Sequence, residues 1–96
     1  MIKVPVVNRE HYTMYLELYE GMLWFHTDVY KWTATIKAKY LEDLNLLQYL
    51  NNVPLVAMLD QSNHKLIKFA ESIDFKYKQP FKGTDNKMYY IYSRSK

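Results

Sequence analysis

The sequence predicts a mixed α/β domain in which helices pack on one sheet and the chain ends in a β-hairpin. Apolar residues recur at helical spacing over residues 33–50 and again from Leu66 to Ile73. Short, continuous apolar runs at residues 22–27 and 54–59 precede these helices and predict buried strands. Strands separated by helices are typical of a mixed sheet.

The N-terminal part of the chain predicts one strand and one helix. A β-branched run from Ile2 to Val7 predicts the strand, and Asn8 is a suitable N-cap for the helix. Gly21 would end that helix. Its apolar face would consist of Tyr12, Tyr15, Leu16 and Tyr19. The bulky run that begins at Met22 then predicts a strand over 22–27 that is buried on both faces.

The longest predicted helix, residues 33–50, ends before Val53-Pro54, because a residue that precedes proline avoids the helical conformation. Its apolar face would consist of Ile36, Tyr40, Leu44, Leu47 and Leu50. Asp60–Asn63 would cap the short helix, and two alternating segments around the turn 82–86 predict the closing hairpin. The predicted order is therefore β-α-β-α-β-α-β-β.

Length and composition limit the possible classes of protein. With 96 residues the chain has room for one domain, residues 1–96. The absence of cysteine excludes disulfides, a thiolate zinc site and a cysteine nucleophile. No apolar run has the length of a signal peptide or of the roughly 18 residues that a membrane span needs. We therefore expect a soluble protein without a membrane partner.

Charge is distributed unevenly along the chain. Residues 1–62 carry a net charge of −2, and residues 63–96 carry +5. Lysines and tyrosines interleave in the closing hairpin, a pattern that can bind nucleic acid. Alternation, however, places one set of these aromatic residues against the helices, and only two arginines are available to read base edges. We therefore do not expect nucleic acid as a partner.

The segment from Asp60 to Lys76 resembles the motif that closes the fold of the acetyl-CoA-dependent N-acetyltransferases (GNAT). In that family an asparagine opens a short helix, an aromatic residue follows six positions later, and a Gly-Phe pair leads into the last hairpin. Here these positions hold Asn63, Phe69, Asp74 and Phe75. The run 55–59 resembles the strand that splays away from its neighbour, and residues 33–50 resemble the central helix. The resemblance implies a truncated GNAT-like sheet and is strongest over residues 22–93.

A closer resemblance is to a degenerate branch of this fold in short-tailed phages, which comprises internal virion and virion-assembly proteins. Those chains share a strand with Trp-Phe, a turn with Trp and a long helix, in addition to the spacing above. The corresponding residues are Trp24, Phe25 and Trp32. This resemblance implies a structural or assembly role, and a location in the virion or in the host cytoplasm during infection.

The resemblance also implies that the acetyltransferase chemistry is lost. In the family, a glycine-rich turn before the central helix holds the cofactor pyrophosphate through backbone N–H groups. The matching turn, residues 28–35, contains no glycine, and it carries Asp28 and the bulky Trp32. The family's general acid is a tyrosine, and the matching residue is Phe69, which has no titratable group. We therefore expect no cofactor.

Other groups could substitute only by chance placement. Tyr30 or Tyr77 would have to replace the general acid, and His26 or Asp28 would have to act as the base. We interpret all four as core or surface residues. The three histidines lie on separate predicted elements without the spacing of metal ligands, so no metal site is predicted. No catalytic residue is assigned.

The sequence therefore favours a non-catalytic, GNAT-like phage protein that acts through protein–protein contacts as a virion or assembly component. The expected partners are other phage proteins or copies of the same chain. The residues expected at the contact are Tyr30, Trp32, Lys76, Lys78 and Tyr89. Two alternatives stay open. They are a minimal acetyl-CoA-dependent N-acetyltransferase, and a binding protein that inhibits a host protein.

Overall fold

The computed structural model describes residues 3–95 as one six-stranded mixed sheet with two helices, and the predicted α/β class with its closing hairpin is confirmed. Ile2, where the sequence predicts the start of the first strand, lies outside the described residues. The elements are β1 (Val4–Asn8), β2 (Tyr12–Tyr19), β3 (Met22–Val29), α1 (Ala34–Asn51), β4 (Leu55–Asp60), α2 (His64–Ser72), β5 (Lys76–Lys82) and β6 (Met88–Arg94).

The sheet consists of two antiparallel halves that meet at a short parallel contact. Its strand order is β1-β2-β3-β4-β6-β5, and α1 makes the crossover from β3 to β4. These two strands pair only at Leu23 with Leu55 and at Trp24 with Val56. A cleft of about 200 Å³, lined by residues of both strands, opens beyond this contact. The strands therefore diverge towards their carboxyl ends.

The prediction of a helix after Asn8 is wrong, because residues 12–19 form β2, which pairs along its whole length with β3. The spacing of its tyrosines fits a helix, but the residues that pack into the core alternate: Tyr12, Met14 and Leu16. Glu20 and Gly21 have φ angles of 51° and 74° and form a two-residue hairpin turn, so Gly21 does not end a helix. Asn8 ends β1 instead of capping a helix, and its side chain accepts a hydrogen bond from Thr13.

This turn gives a first testable prediction. A residue with a Cβ atom is strained at positive φ, and asparagine tolerates that conformation better than glutamate does. Glu20→Asn is therefore expected to raise the free energy of unfolding by about 0.5–1 kcal/mol in urea titrations. Glu20→Ala is the control, because alanine keeps the strain and should give no such gain. An equal gain from both variants would contradict this explanation.

The hydrophobic core lies on one face of the sheet, and both helices pack there. Its buried side chains include Tyr40 and Leu44 from α1, Ala70 from α2, Ile73 directly after α2, and Leu55 from β4. Within residues 3–95 no helix covers the opposite face. The prediction that strand 22–27 is buried on both faces is therefore wrong: Phe25 is buried, whereas Trp24 on the opposite face is only half-buried.

The middle of α1 is anchored to the sheet by a charged network. The Asp43 carboxylate accepts hydrogen bonds from the Arg9 guanidinium at 2.9 and 3.0 Å and from the Tyr12 hydroxyl at 2.5 Å. Burial would raise the pKa of Asp43, but the hydrogen bonds from Arg9 and Tyr12 outweigh it, so that the pKa lies below its usual value. This network ties α1 to β2 and to the turn between β1 and β2.

The ends of α2 are as the motif predicts. The Asn63 side chain accepts a hydrogen bond from the Leu66 backbone N–H, which makes it the N-cap. Asp74 has a φ of 72°, a left-handed conformation that aspartate adopts more readily than most residues. The Phe75 N–H then bonds to the Ala70 carbonyl, and the Phe75 side chain enters the core.

Both edge strands are protected against pairing with another sheet. β1 contains Pro5 and an irregular register between Pro5 and Val7. β5 contains Pro80, a register shift between Tyr77 and Gln79, and three lysines. Prolines, bulges and lysines on an edge all oppose strand addition. This geometry disfavours edge pairing as a mode of assembly.

Candidate functional site

The turn that the resemblance assigns to pyrophosphate binding is short and contains no glycine. β3 continues to Val29, and α1 begins at Ala34 with Thr33 as its N-cap. The Thr33 hydroxyl accepts a hydrogen bond from the Ile36 N–H at 3.2 Å, and the Thr33 carbonyl accepts one from Lys37. One of the free backbone N–H groups in the first turn of α1, that of Ile36, is therefore already bonded to the cap.

An aromatic cluster joins this turn to both helices. The Trp32 ring makes edge contacts with Tyr40 of α1 and Phe69 of α2, at centroid distances of 5.3 and 4.9 Å. Tyr40 and Phe69 also contact each other at 5.7 Å, and Tyr12 contacts Tyr40 at 4.9 Å. Trp32 and Phe69 therefore act as packing residues here, and Phe69 lies on the inner side of α2 together with Ile73.

Asp28 and Tyr30 point to the face of the sheet without helices, where their side chains bond to β2. The Tyr15 hydroxyl donates to the Asp28 carboxylate at 2.8 Å, and this bond, with burial and the negative charge, raises the pKa of Tyr15 to about 12. The Tyr30 hydroxyl lies 3.2 Å from that of Thr13. Asp28 and Tyr30 are thus partners of strand residues.

The four groups that could substitute in catalysis are not brought together. His26 Nε2 lies 2.9 Å from Glu17 Oε1 on the face without helices. Asp28 bonds to Tyr15 as described, and Tyr77 packs against Tyr90 and Tyr92 on β6, at the far side of the sheet. His26 lines the cleft between the splayed strands, and the one hydroxyl there, that of Thr27, donates to the Thr13 carbonyl. Among the described residues that line this cleft, the Thr27 hydroxyl is therefore engaged in a backbone bond, and Lys3 supplies the other polar side chain besides His26.

A second, larger cleft lies beside the turn. It has a volume of about 490 Å³, opens between the turn and the start of α2, and is lined by Lys31, Lys65 and Trp32 among others. The two lysines give it a positive character that suits an anionic group. Among residues 3–95, no three histidine, aspartate or glutamate side chains are close enough to hold a metal ion.

The residues predicted for the contact surface lie in separate places. Tyr30 and Trp32 follow β3 but turn to opposite faces of the sheet. Packing on Phe69 limits the exposure of Trp32 to 38%. Lys76 and Lys78 are exposed on the edge strand β5. Tyr89 on β6 donates to the Asp85 carboxylate in the adjacent turn at 2.6 Å. These five residues do not form one surface.

Sequence reasoning missed a different exposed group. Leu50, predicted to belong to the apolar face of the long helix, is 69% exposed. Leu46, Tyr49 and Val53 are also exposed, at 56%, 65% and 46%. Tyr40, Leu44 and Leu47 define the buried face of α1. Leu50 lies at the margin of this face, so that its side chain points away from the sheet. A signal was available, because the second half of this helix is apolar on two faces.

Comparison of the chain with protein-family models, curated proteins and solved structures gave no significant match. Neither of the two helices within residues 3–95 has the length and apolar character required to cross a membrane.

Proposed function

We propose that the protein is a non-catalytic, GNAT-like phage protein that acts through protein–protein contacts as a virion or virion-assembly component. The aromatic cluster is the main support for the proposal that the protein is not a catalyst. Where the resemblance places the cofactor turn and the general acid, the chain has Trp32 packed on Phe69 and no titratable group in the acid's position. The splay between β3 and β4 and the caps of α2 support the GNAT-like interpretation.

Binding is the role that the remaining surface supports. The chain presents several large apolar side chains to solvent, and exposed apolar clusters on small proteins commonly mark contacts with other proteins. The phage virion role rests on the resemblance of the Trp-Phe strand, the turn with Trp32 and the α2 motif to internal virion and assembly proteins.

A minimal acetyl-CoA-dependent N-acetyltransferase is the second candidate. The cleft with Lys31 and Lys65 favours it, because two lysines could neutralise part of the charge of a pyrophosphate. The glycine-free turn opposes it, since backbone N–H groups approach phosphates most closely where glycine removes the Cβ atom.

Calorimetry with acetyl-CoA separates these candidates. We expect no binding with a dissociation constant below about 100 μM. Lys31→Ala together with Lys65→Ala serves as the matched variant, which identifies any heat that arises from the cleft. Tighter binding that this variant abolishes would contradict the non-catalytic proposal. Mass spectrometry of purified particles and of their assembly intermediates tests the virion role, and absence from both would contradict that role.

A further inference from the structure

Two strand segments inside the sheet face each other without pairing. β3 and β4 pair at two positions, the last of which joins Trp24 to Val56. Beyond it, β3 continues over residues 25–29 and β4 over residues 57–60. Within residues 3–95 no strand lies between these segments, so the backbone N–H and C=O groups that they direct towards each other have no ladder partner. We call the two segments the inner edges.

The inner edges lack the features that protect the two outer edges of the sheet. β1 and β5 each contain a proline and a register shift, and β5 also carries lysines. The inner edges contain neither proline nor lysine, and the ladders that β3 and β4 form on their other sides are regular. Regular, unpaired backbone of this kind is a template for another chain. The space therefore suits an extended segment, whose own N–H and C=O groups can pair on both sides.

The charge around this space is positive. Two clefts meet between α2 and the inner edges, and both are lined by Thr27, Leu66 and Phe69. The smaller, of about 200 Å³, lies between the diverging strands, and the larger, of about 490 Å³, continues it to the turn before α1. Among the described residues that line them there is no aspartate or glutamate. Their charged residues are all lysines: Lys3, Lys31 and Lys65. An acidic segment is therefore complementary to the two clefts.

The alternation of the strands specifies the pattern of such a segment. On the face that the helices cover, the smaller cleft is lined by apolar side chains such as Phe25 and Leu59. On the opposite face it is lined by His26 and by Lys3, whose ammonium group lies 4.6 Å from the centre of the Tyr15 ring. An inserted strand also sends successive side chains to opposite faces. Its apolar side chains would therefore face the helices, and its acidic ones would face Lys3.

We propose that the inner edges bind an extended, acidic segment of a partner protein, which enters the sheet between β3 and β4 as an additional strand. This inference rests on the proposed function, because it names the kind of segment that a protein acting by contact would bind. The shorter inner edge, residues 57–60, has room for roughly four residues of the partner at about 3.3 Å each. Carboxylates beyond this stretch would meet Lys31 and Lys65 in the larger cleft.

Fluorescence polarisation with a labelled peptide of about eight residues, in which valine and glutamate alternate, tests the proposal. The full chain, titrated to about 500 μM, should bind more than half of this peptide. A peptide with lysine in place of glutamate should bind about tenfold more weakly, because it reverses the charge. N-methylation of every second amide should cause a similar loss, because it removes backbone donors and leaves the charge unchanged. Equal binding of any of these peptides would overturn the proposal.

Two double variants locate the charge that matters. Lys31→Ala together with Lys65→Ala should weaken binding about fivefold and leave the melting temperature unchanged, because both side chains are exposed. Lys78→Ala together with Lys82→Ala is the matched control, since it removes the same charge from the exposed edge strand β5. That variant should bind within about twofold of the wild type. Equal losses in the two double variants would assign the binding to net charge and would overturn the proposal.

Hydrogen–deuterium exchange locates the bound peptide. Saturation should slow the exchange of backbone amides in residues 25–29 and 57–60 and leave β1 and β5 unchanged. Slower exchange confined to an outer edge, or displacement of the peptide by about 100 μM acetyl-CoA, would overturn the proposal. A chain that is found in particles but does not bind the peptide would overturn this inference alone. A chain that binds the peptide but is absent from particles and their assembly intermediates would overturn only the virion role.

Discussion

Phe69→Ala is expected to lower the free energy of unfolding by about 3 kcal/mol, near the lower end of the range for truncating a buried phenylalanine. Phe69 is half-buried, but its ring contacts both Trp32 and Tyr40. Its loss would remove the contact through which α2 meets α1 and the turn before it. Urea unfolding followed by tryptophan fluorescence measures this effect, because Trp32 is part of the contact.

Two variants make this result specific. Phe81→Ala removes an equally large ring from the edge strand β5, where the side chain is 44% exposed, and should cost about 1 kcal/mol or less. Phe69→Tyr introduces a hydroxyl at the position that the resemblance to the N-acetyltransferases assigns to a general acid, and should keep most of the stability without producing acetyl transfer. An unchanged stability in Phe69→Ala would contradict the packing role, and acetyl transfer by Phe69→Tyr would contradict the proposal that the protein is not an acetyltransferase.

Asp43→Ala is expected to cost about 2–3 kcal/mol, because it leaves the buried Tyr12 hydroxyl without its acceptor and removes two charge-assisted hydrogen bonds from Arg9. The effect should depend on pH. The pKa of Asp43 is lowered by folding, so its contribution is complete above the unfolded pKa of about 3.9 and is lost as the pH falls through the folded value.

The measurement is urea unfolding of wild type and Asp43→Ala at pH 7 and at successively lower pH. The difference between the two proteins should shrink below about pH 4, as the carboxylate of the wild type becomes protonated. Glu42→Ala is the neighbouring control. Glu42 is exposed and makes only a surface pair with Lys39 at 3.5 Å, so its removal should change stability by about 0.5 kcal/mol or less. A difference that is constant with pH would contradict a role for the Asp43 charge.

The second half of the fold could be predicted from sequence because its signals are local. Val53-Pro54 stops α1, Asn63 caps α2, and Asp74 provides the left-handed residue at its end. Each of these residues acts through the backbone within a few positions, so no knowledge of distant contacts is needed. Asp74 in particular could be assigned from the known preference of aspartate for positive φ.

The first half could not be predicted in the same way, because the apolar residues of 12–19 fit both the helical period of 3.6 residues and the strand period of two. Tyr12 and Leu16 are compatible with both a helix and a strand, and only pairing with β3 decides between them. The turn Glu20-Gly21 does not decide between them either, since these two residues can join two strands as well as end a helix. The exposure of Leu50 depends likewise on where α1 lies across the sheet, which spacing alone does not specify.

The parallel contact between β3 and β4 has a mechanical consequence. Two residue pairs join the two antiparallel halves of the sheet, while β2 and β3 pair over eight residues on one side and β4 and β6 over six on the other. The sheet is therefore least stiff along this line. Under a load directed across the strands, we expect the halves to separate there, held by α1 and the aromatic cluster, before either half loses its own ladder.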